Sequence, residues 1–136
     1  MTERTFVIIK PDAVAAGHVG NILDRYERTG LRLDAMELRI IDGDFADQHY
    51  AEHLERDYYP PLREFMIEGP LVALVLSGEN ALESVRELNG ATDPAKAAAG
   101  TIRADFGTSV RTNCVHASDS TQSAASEIAL WFPELS

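Results

Sequence analysis

The stretch NCVHASDS, residues 113 to 120, sets His116 two residues after the only cysteine, Cys114, and just before Ser118, Asp119 and Ser120. Three readings fit those residue types: a nucleophile with supporting groups, a metal or thiol site, or a strand end running into a helix cap. On a strand, residues i and i+2 point the same way, so Cys114 could face His116 as a thiol with its base. Nothing in the stretch activates the thiol specifically, and a small buried cysteine is the commoner state. A second cluster, HYAEH at residues 49 to 53, matches the H-x-x-E-H spacing of a zinc-peptidase helix. There His49 and His53 would share a face as ligands, with Glu52 as a base. No third ligand is specified, and the plainer reading is a solvated helix whose histidines and aromatics edge a cleft.

A more dispersed set shares one property: each member can touch a polyphosphate. Lys10 stands at the end of RTFVIIK, Arg86 near the end of a helical stretch with Thr92 just beyond it, and Arg103 in a long irregular segment. Asn113 and His116 precede a helix start. Taken singly, each has a simpler role as an exposed strand end, a solvated helix residue or a turn former. Together they would form a site for anion transfer.

The elements that must position these groups follow from hydrophobic period. RTFVIIK reads as a buried strand ended by Pro11. VGNILDRYERTG puts Val19, Ile22, Leu23 and Tyr26 on one helical face, with Gly30 as its stop. LRLDAMELRI alternates at Leu31, Leu33 and Ala35, then shifts phase at Met36, Leu38 and Ile40, which predicts a bulged strand. A short helix entered at Asp44 and a second one over PPLREFMIEG come next. PLVALVLSG reads as a central strand. NALESVRELNG is a helix with Ala81, Leu82, Val85 and Leu88 inward, Asn80 as its cap and Gly90 near its end. Residues 91 to 111 show no long element, and loops of that length are usually functional. NCVH is a last short strand, followed by a helix in which Asp119 and Gln122 resemble a capping box and which Pro133 ends. This order predicts an α+β, ferredoxin-like split βαβ sandwich: a four-stranded antiparallel sheet, helices on one face, and an inserted loop.

At 136 residues the chain makes one domain, 1–136, able to bury its own core. An apolar share of 45% with 25% charged residues argues against disorder. No apolar run approaches the ~18 residues of a membrane span, and the N-terminal run is too short for a signal peptide. The lone cysteine fits a reducing, cytoplasmic setting. A net charge of −10 disfavours nucleic-acid binding, yet a few cations focused in one cleft could still hold a small polyanion. Ten of the twelve basic residues are Arg, suited to forked phosphate contacts or reflecting genome composition.

RTFVIIKPDAV, HYAEH, GPLVALV, NGATDP, GTIRADF, NCVHASDS and EIALWF occur in the order and spacing of the nucleoside diphosphate kinases, and the chain resembles that family over residues 3 to 132. The resemblance implies ping-pong transfer of a γ-phosphoryl group from a nucleoside triphosphate, chiefly ATP, to a nucleoside diphosphate, with Mg²⁺. His116 is then the phosphorylated nucleophile, with Glu127 and Ser118 beside its ring and Tyr50 near by. By the same resemblance Arg86, Thr92 and Arg103 hold phosphates, Lys10 and Asn113 bond the ribose, and Lys10 also nears the transferred group. His53 contacts phosphate. The base lies between Tyr58 and Val110, near Leu62, and stacking on a π-face admits any base. Asp119 meets Mg²⁺ through water, the substrate phosphates holding most of it. The family also implies a homo-oligomer, here a hexamer built from dimers in preference to a tetramer or dimer.

Several positions depart from the family pattern. Tyr58 replaces a commoner Phe, so its hydroxyl needs solvent or a partner. Ala13, Ala104 and Ala117 stand where glycine is common, which predicts negative φ at each. Ala99 replaces a common proline in a loop that packs between subunits.

Overall fold

The computed structural model describes residues 2–135. Its elements run β1 (Thr2–Ile9), α1 (Pro11–Ala15), α2 (Val19–Arg28), β2 (Arg32–Arg39), α3 (Gly43–His49), α4 (Tyr59–Ile67), β3 (Leu71–Glu79), α5 (Ala81–Asn89), α6 (Ile102–Phe106), β4 (Val115–Ala117) and α7 (Thr121–Trp131). Short 3₁₀ turns occupy Ala51–His53, Pro94–Lys96 and Pro133–Leu135. The strands form one antiparallel sheet in the order β2-β3-β1-β4. The expected bulge lies in β2, where its register on β3 skips between Leu33 and Ala35.

The helices do not keep to one face, as the sequence reading had them. Successive residues of β1 and β3 point to opposite sides, and both sides are dry. Phe6, Ile8, Ala73 and Val75 pack with Ala46, Phe65, Met66, Ile128 and Trp131 from α3, α4 and α7. Val7, Ile9, Val72, Leu74 and Leu76 pack with Ile22, Tyr26, Val85 and Ile102 from α2, α5 and α6. The unbroken apolar runs FVII and LVALVL have this cause, since a strand covered on both faces has no polar phase. At roughly 1.5–3 kcal/mol per buried large aliphatic side chain, these two strands form the main cohesive unit.

Three helix starts differ from expectation. Asp42, not Asp44, caps α3 by accepting from the Phe45 amide at 2.8 Å. Ser120, not Asp119, caps α7 by accepting from the Ser123 amide. Asn80 adopts φ +52 and gives no side-chain cap; the Glu3 carboxylate instead accepts from Leu82 N–H at 2.9 Å. Gly90, at φ +87 after α5, is needed for space as well as for its dihedral. A Cβ there would lie 2.5 Å from Thr101 Oγ1, on the segment that carries α6 inward. Within residues 91 to 111 the chain folds into one short turn and α6, which brings Arg103 back onto the sheet end.

Candidate active site

A cleft of about 1020 Å³ opens at the end of the sheet where β1 and β4 meet, and it is lined by 26 residues, including Lys10, Arg86, Arg103, Asn113, His116 and Glu127. His116 sits on β4, paired with Ile8 of β1, with its side chain 22% exposed. Its Nε2 lies 3.2 Å from Glu127 Oε1. That carboxylate oxygen also accepts from Ser118 Oγ at 2.7 Å, so it is a fixed acceptor. Ser118 is itself buried and tied to Phe6 of β1 through its own amide, 3.0 Å from the Phe6 carbonyl. The acceptor places the ring proton on Nε2 and leaves the Nδ1 lone pair free. The cap at Ser120 starts α7 so that Glu127, two turns in, faces back toward the strand.

His49 fills the space beside this pair. Its ring stands nearly perpendicular to that of His116 at 4.8 Å, and its Nδ1 accepts from the Trp131 indole N–H at 3.0 Å. Burial, then the neighbouring His116, pushes its pKa well below the ordinary histidine value. His49, His116 and Glu127 approach closely enough to suggest a metal site. The indole bond argues against that reading. It occupies the Nδ1 lone pair and leaves the proton of a neutral ring on Nε2, so His49 has no lone pair to give.

The zinc-peptidase reading of HYAEH fails on geometry as well. α3 ends at His49, and Ala51–His53 is a tighter turn, so the two histidines diverge. His49 turns inward to Trp131, while His53 Nδ1 shares a 2.5 Å hydrogen bond with the Tyr58 hydroxyl at the cleft mouth. The thiol reading of Cys114 fails too. Its side chain is buried, and burial raises the thiol pKa to about 12. Cys114 matters instead through its backbone, which adopts φ +75. Its N–H donates to Asp12 Oδ2 at 3.1 Å, and its carbonyl accepts from Lys10 N–H at 2.7 Å. The strained residue is thus held from two sides, immediately before β4. Ala13, Ala104 and Ala117 lack positive φ, as expected.

The cationic wall is built from three elements. Lys10, 7% exposed at the end of β1, donates from Nζ to Asn113 Oδ1 at 2.9 Å. Burial, and then the nearby Arg103, lower its pKa to about 8. Asn113 also donates to the Thr92 carbonyl at 2.9 Å, which pins the loop. Arg103 of α6 donates to the carbonyls of Gly90 and Val115 at 2.9 and 2.7 Å, while its buried Nε has no partner among the described residues. Arg86 of α5 reaches the Ser118 carbonyl at 3.5 Å, the limit of a hydrogen bond, and stays exposed.

Toward the mouth, Tyr58 and Val110 are 51% and 57% exposed, with Leu62 partly buried behind them. Tyr50 lies 8% exposed, its ring edge-on to His49 at 4.6 Å, so its contact with His116 runs through His49. Burial raises its pKa. Asp119 is exposed at the cleft edge and accepts from Ser123 Oγ at 2.7 Å, a bond that keeps its carboxyl below the usual range.

All the site residues expected from the sequence therefore line or adjoin one cleft: Lys10, Tyr50, His53, Tyr58, Leu62, Arg86, Thr92, Arg103, Val110, Asn113, His116, Asp119 and Glu127 border it. Ser118 lies just beneath, bonded to Glu127. The roles of His49, Trp131 and Asp12 were not foreseen. The HYAEH spacing did flag His49, but with the wrong chemistry.

A family model described as nucleoside diphosphate kinase matches residues 3–136. A protein of that name from a Nocardioides species is 61% identical over 135 residues, spanning 99% of this chain and 100% of that protein. Another from Rhodococcus erythropolis is 59% identical, spanning 100% and 99%. The solved nucleoside diphosphate kinase of Aquifex aeolicus superposes with a TM-score of 0.96 at 43% identity, covering 99% of this chain and 98% of that one. That of Encephalitozoon cuniculi gives 0.93 at 37% identity, covering 96% and 88%.

Proposed function

The chain belongs to the nucleoside diphosphate kinase family, and from that premise we propose how its residues carry out the transfer of a γ-phosphoryl group from a nucleoside triphosphate to a nucleoside diphosphate. His116 is the nucleophile. The observation that carries this reading is the orientation of its ring: Nε2 is held by Glu127, and Nδ1 is free at the centre of a cleft ringed by Lys10, Arg86 and Arg103.

In the first half-reaction the Nδ1 lone pair forms a bond to the γ-phosphorus. The bond from that phosphorus to the β-bridging oxygen breaks, and the electron pair leaves with the nucleoside diphosphate. Charge spreads over the γ-oxygens in the loose transition state, where Arg86, Arg103 and Lys10 lie ready to donate to them. As the ring becomes cationic on phosphorylation, the Glu127 carboxylate on Nε2 stabilises it. In the second half-reaction a terminal oxygen of another nucleoside diphosphate attacks the phosphohistidine, Nδ1 leaves, and the ring returns to its starting state. Donor and acceptor use one site in turn, which makes the kinetics ping-pong.

Lys10 and Asn113, already bonded to each other, offer a rigid pair for ribose hydroxyls. Tyr58 and Val110 offer two apolar walls to the base, which bind any π-face and explain a broad base range. Mg²⁺ is the divalent ion proposed. The cleft has no cage of hard oxygens for it, and the His49–His116–Glu127 group fails for the tautomeric reason given. Ionised Asp119, its second oxygen clear of the Ser123 bond, suits a hydrated ion carried by the substrate. When bound, the ion would neutralise phosphate charge and align the chain of phosphates.

The whole chain, 1–136, is read as one domain acting in the cytoplasm. Among the described residues no helix is long and apolar enough to cross a membrane. Self-assembly is proposed as well, with a hexamer built from dimers. β2 is an edge strand, and Met36 and Leu38 on it, with Ile40 just past its end, are 54%, 65% and 73% exposed. Such a row on an open edge favours a second copy. The test of the central reading is labelling with γ-³²P-ATP and Mg²⁺. The wild-type protein should form an acid-labile, alkali-stable phosphoenzyme, and His116→Ala should not. An unlabelled wild type would overturn the assignment.

A further inference from the structure

We propose that Tyr58 and His53 act as one brace for the nucleotide base, with His53 positioning the Tyr58 ring; this rests on the reading of Tyr58 and Val110 as the base slot. Tyr58 sits just ahead of α4 with half its surface in solvent, and an unrestrained aromatic there would swing about two torsions. Its hydroxyl prevents that by sharing the 2.5 Å hydrogen bond with His53 Nδ1. The two rings lie 5.8 Å apart at 55°.

His53 is itself fixed. Its amide donates to the Tyr50 carbonyl at 2.8 Å, and its carbonyl accepts from the Arg56 amide at 3.0 Å. Its ring meets Tyr50 edge-on at 6.0 Å, and buried Tyr50 in turn packs on Tyr59 at 5.7 Å. The exposed plate is thereby tied through His53 into the core. The opposite wall is stiff for a different reason. Val110 rides a turn laced by Thr108, Ser109 and Thr112, with hydroxyl contacts of 2.5 and 2.7 Å and the Thr112 amide on Ser109 Oγ at 3.1 Å. Both walls are set before a nucleotide arrives, so the ordering of Tyr58 is not charged against binding. The bond occupies Nδ1 of His53 and leaves Nε2 as the ring's other polar atom, so the brace is separable from any direct phosphate contact by the tripolyphosphate readout below.

The experiment measures KM and kcat for nucleoside diphosphates, and inhibition by base-free inorganic tripolyphosphate, in Tyr58→Phe, Tyr58→Ala, His53→Ala and the Tyr58→Phe/His53→Ala pair. Tyr58→Phe should raise KM about two- to tenfold, the effect expected from freeing one side chain. The change should fall on KM rather than kcat, because a base contact binds ground and transition states alike. Tripolyphosphate inhibition should not move in Tyr58→Phe or His53→Ala, and the double variant should be no worse than the weaker single. If Tyr58→Phe matches wild type while Tyr58→Ala raises KM, the brace is refuted and the base slot stands. If Tyr58→Ala has no effect either, the base slot itself is wrong and the brace falls with it. Additive losses in the double variant, or a His53→Ala loss of tripolyphosphate inhibition, would also overturn the proposal.

Discussion

Raising the pH through 8 should weaken nucleotide capture, and Lys10 is the reason. Its amine is buried at the end of β1, and burial followed by the Arg103 guanidinium brings its pKa from 10.5 to about 8. That drop corresponds to a preference for the neutral amine on the order of 3 kcal/mol. At pH 9 roughly nine-tenths of the free enzyme would carry a neutral Lys10. kcat/KM reports the free enzyme, so it should begin to fall near pH 8 and approach about a tenfold loss per further pH unit if the charge is required. Incoming phosphates favour the charged amine, so the kcat profile should break at a higher pH. For the same reason binding near pH 9 should take up close to one proton. The assays are kcat/KM from pH 6.5 to 9.5 in wild type and Lys10→Arg, whose charge persists throughout, and calorimetry of wild type in buffers of different ionisation enthalpy. Stability should move the opposite way over a narrow window. Between pH 8 and 9 the native Lys10 has released its proton while the unfolded chain still holds one, so unfolding becomes harder as pH rises. Above 9 the rise levels off, because the buried Cys114 thiol keeps its proton to about 12 while the unfolded one releases it from 9.0, and stability falls only above 10.5, where the unfolded lysine is neutral too. A wild-type kcat/KM flat to pH 9.5, with no proton uptake on binding, would refute this account.

Three other perturbations test separate parts of the site. Glu127→Gln keeps a partner for Ser118 but removes the charge facing Nε2, and phosphoenzyme formation in rapid-quench experiments should slow about 10- to 1000-fold with little change in nucleotide affinity. Trp131→Phe frees His49 Nδ1 and allows the other tautomer, so micromolar Zn²⁺ should inhibit this variant more strongly than wild type in Mg²⁺-saturated assays; equal sensitivity would contradict the tautomer argument. Leu38→Glu on β2, or Ile40→Glu just past its end, places a charge on this open edge, and sedimentation velocity should show a smaller species than wild type if that edge joins copies.

Legibility in the sequence tracked whether a residue's role is local. β1, β3 and α2 were readable because runs and periods report burial directly, and the β2 bulge was visible as a phase slip. Caps were misplaced because several candidates stood side by side. Asp42 and Asp44, or Asp119 and Ser120, differ only in which backbone amide each can reach. Asn80 failed as a cap because the Glu3 carboxylate, 79 positions before Leu82 in sequence, took the Leu82 amide. Covering helices on both sheet faces was implicit in the absence of a polar phase in LVALVL, but the plan inferred from element order outweighed it. Within the site, the phosphate roles proposed for Arg86, Thr92 and Arg103 come from the family's motifs and not from their spacing. His49 could not be assigned from spacing, since its tautomer depends on Trp131, 82 positions later.

The charge pattern supports the site reading more sharply than the net charge does. An excess of arginine over lysine admitted two explanations, and eight of the ten arginines divide between two jobs. Arg25, Arg28, Arg32, Arg39 and Arg63 are matched to carboxylates of Asp105, Asp24, Asp34, Glu37 and Asp47 at 2.7 to 3.3 Å. Those pairs, exposed or half-buried at the surface, add little stability, but they neutralise the positive charge of those five arginines. Arg86, Arg103 and Arg111 instead line the cleft with Lys10. An anion approaching this chain of net charge −10 therefore finds four cations gathered in the cleft. A long polyanion cannot confine itself to that place, whereas a nucleoside triphosphate can. The acidic composition and the basic cleft are thus compatible, because a small polyphosphate finds its cations gathered in one cleft. Raising ionic strength should accordingly lower kcat/KM for nucleotide more than kcat.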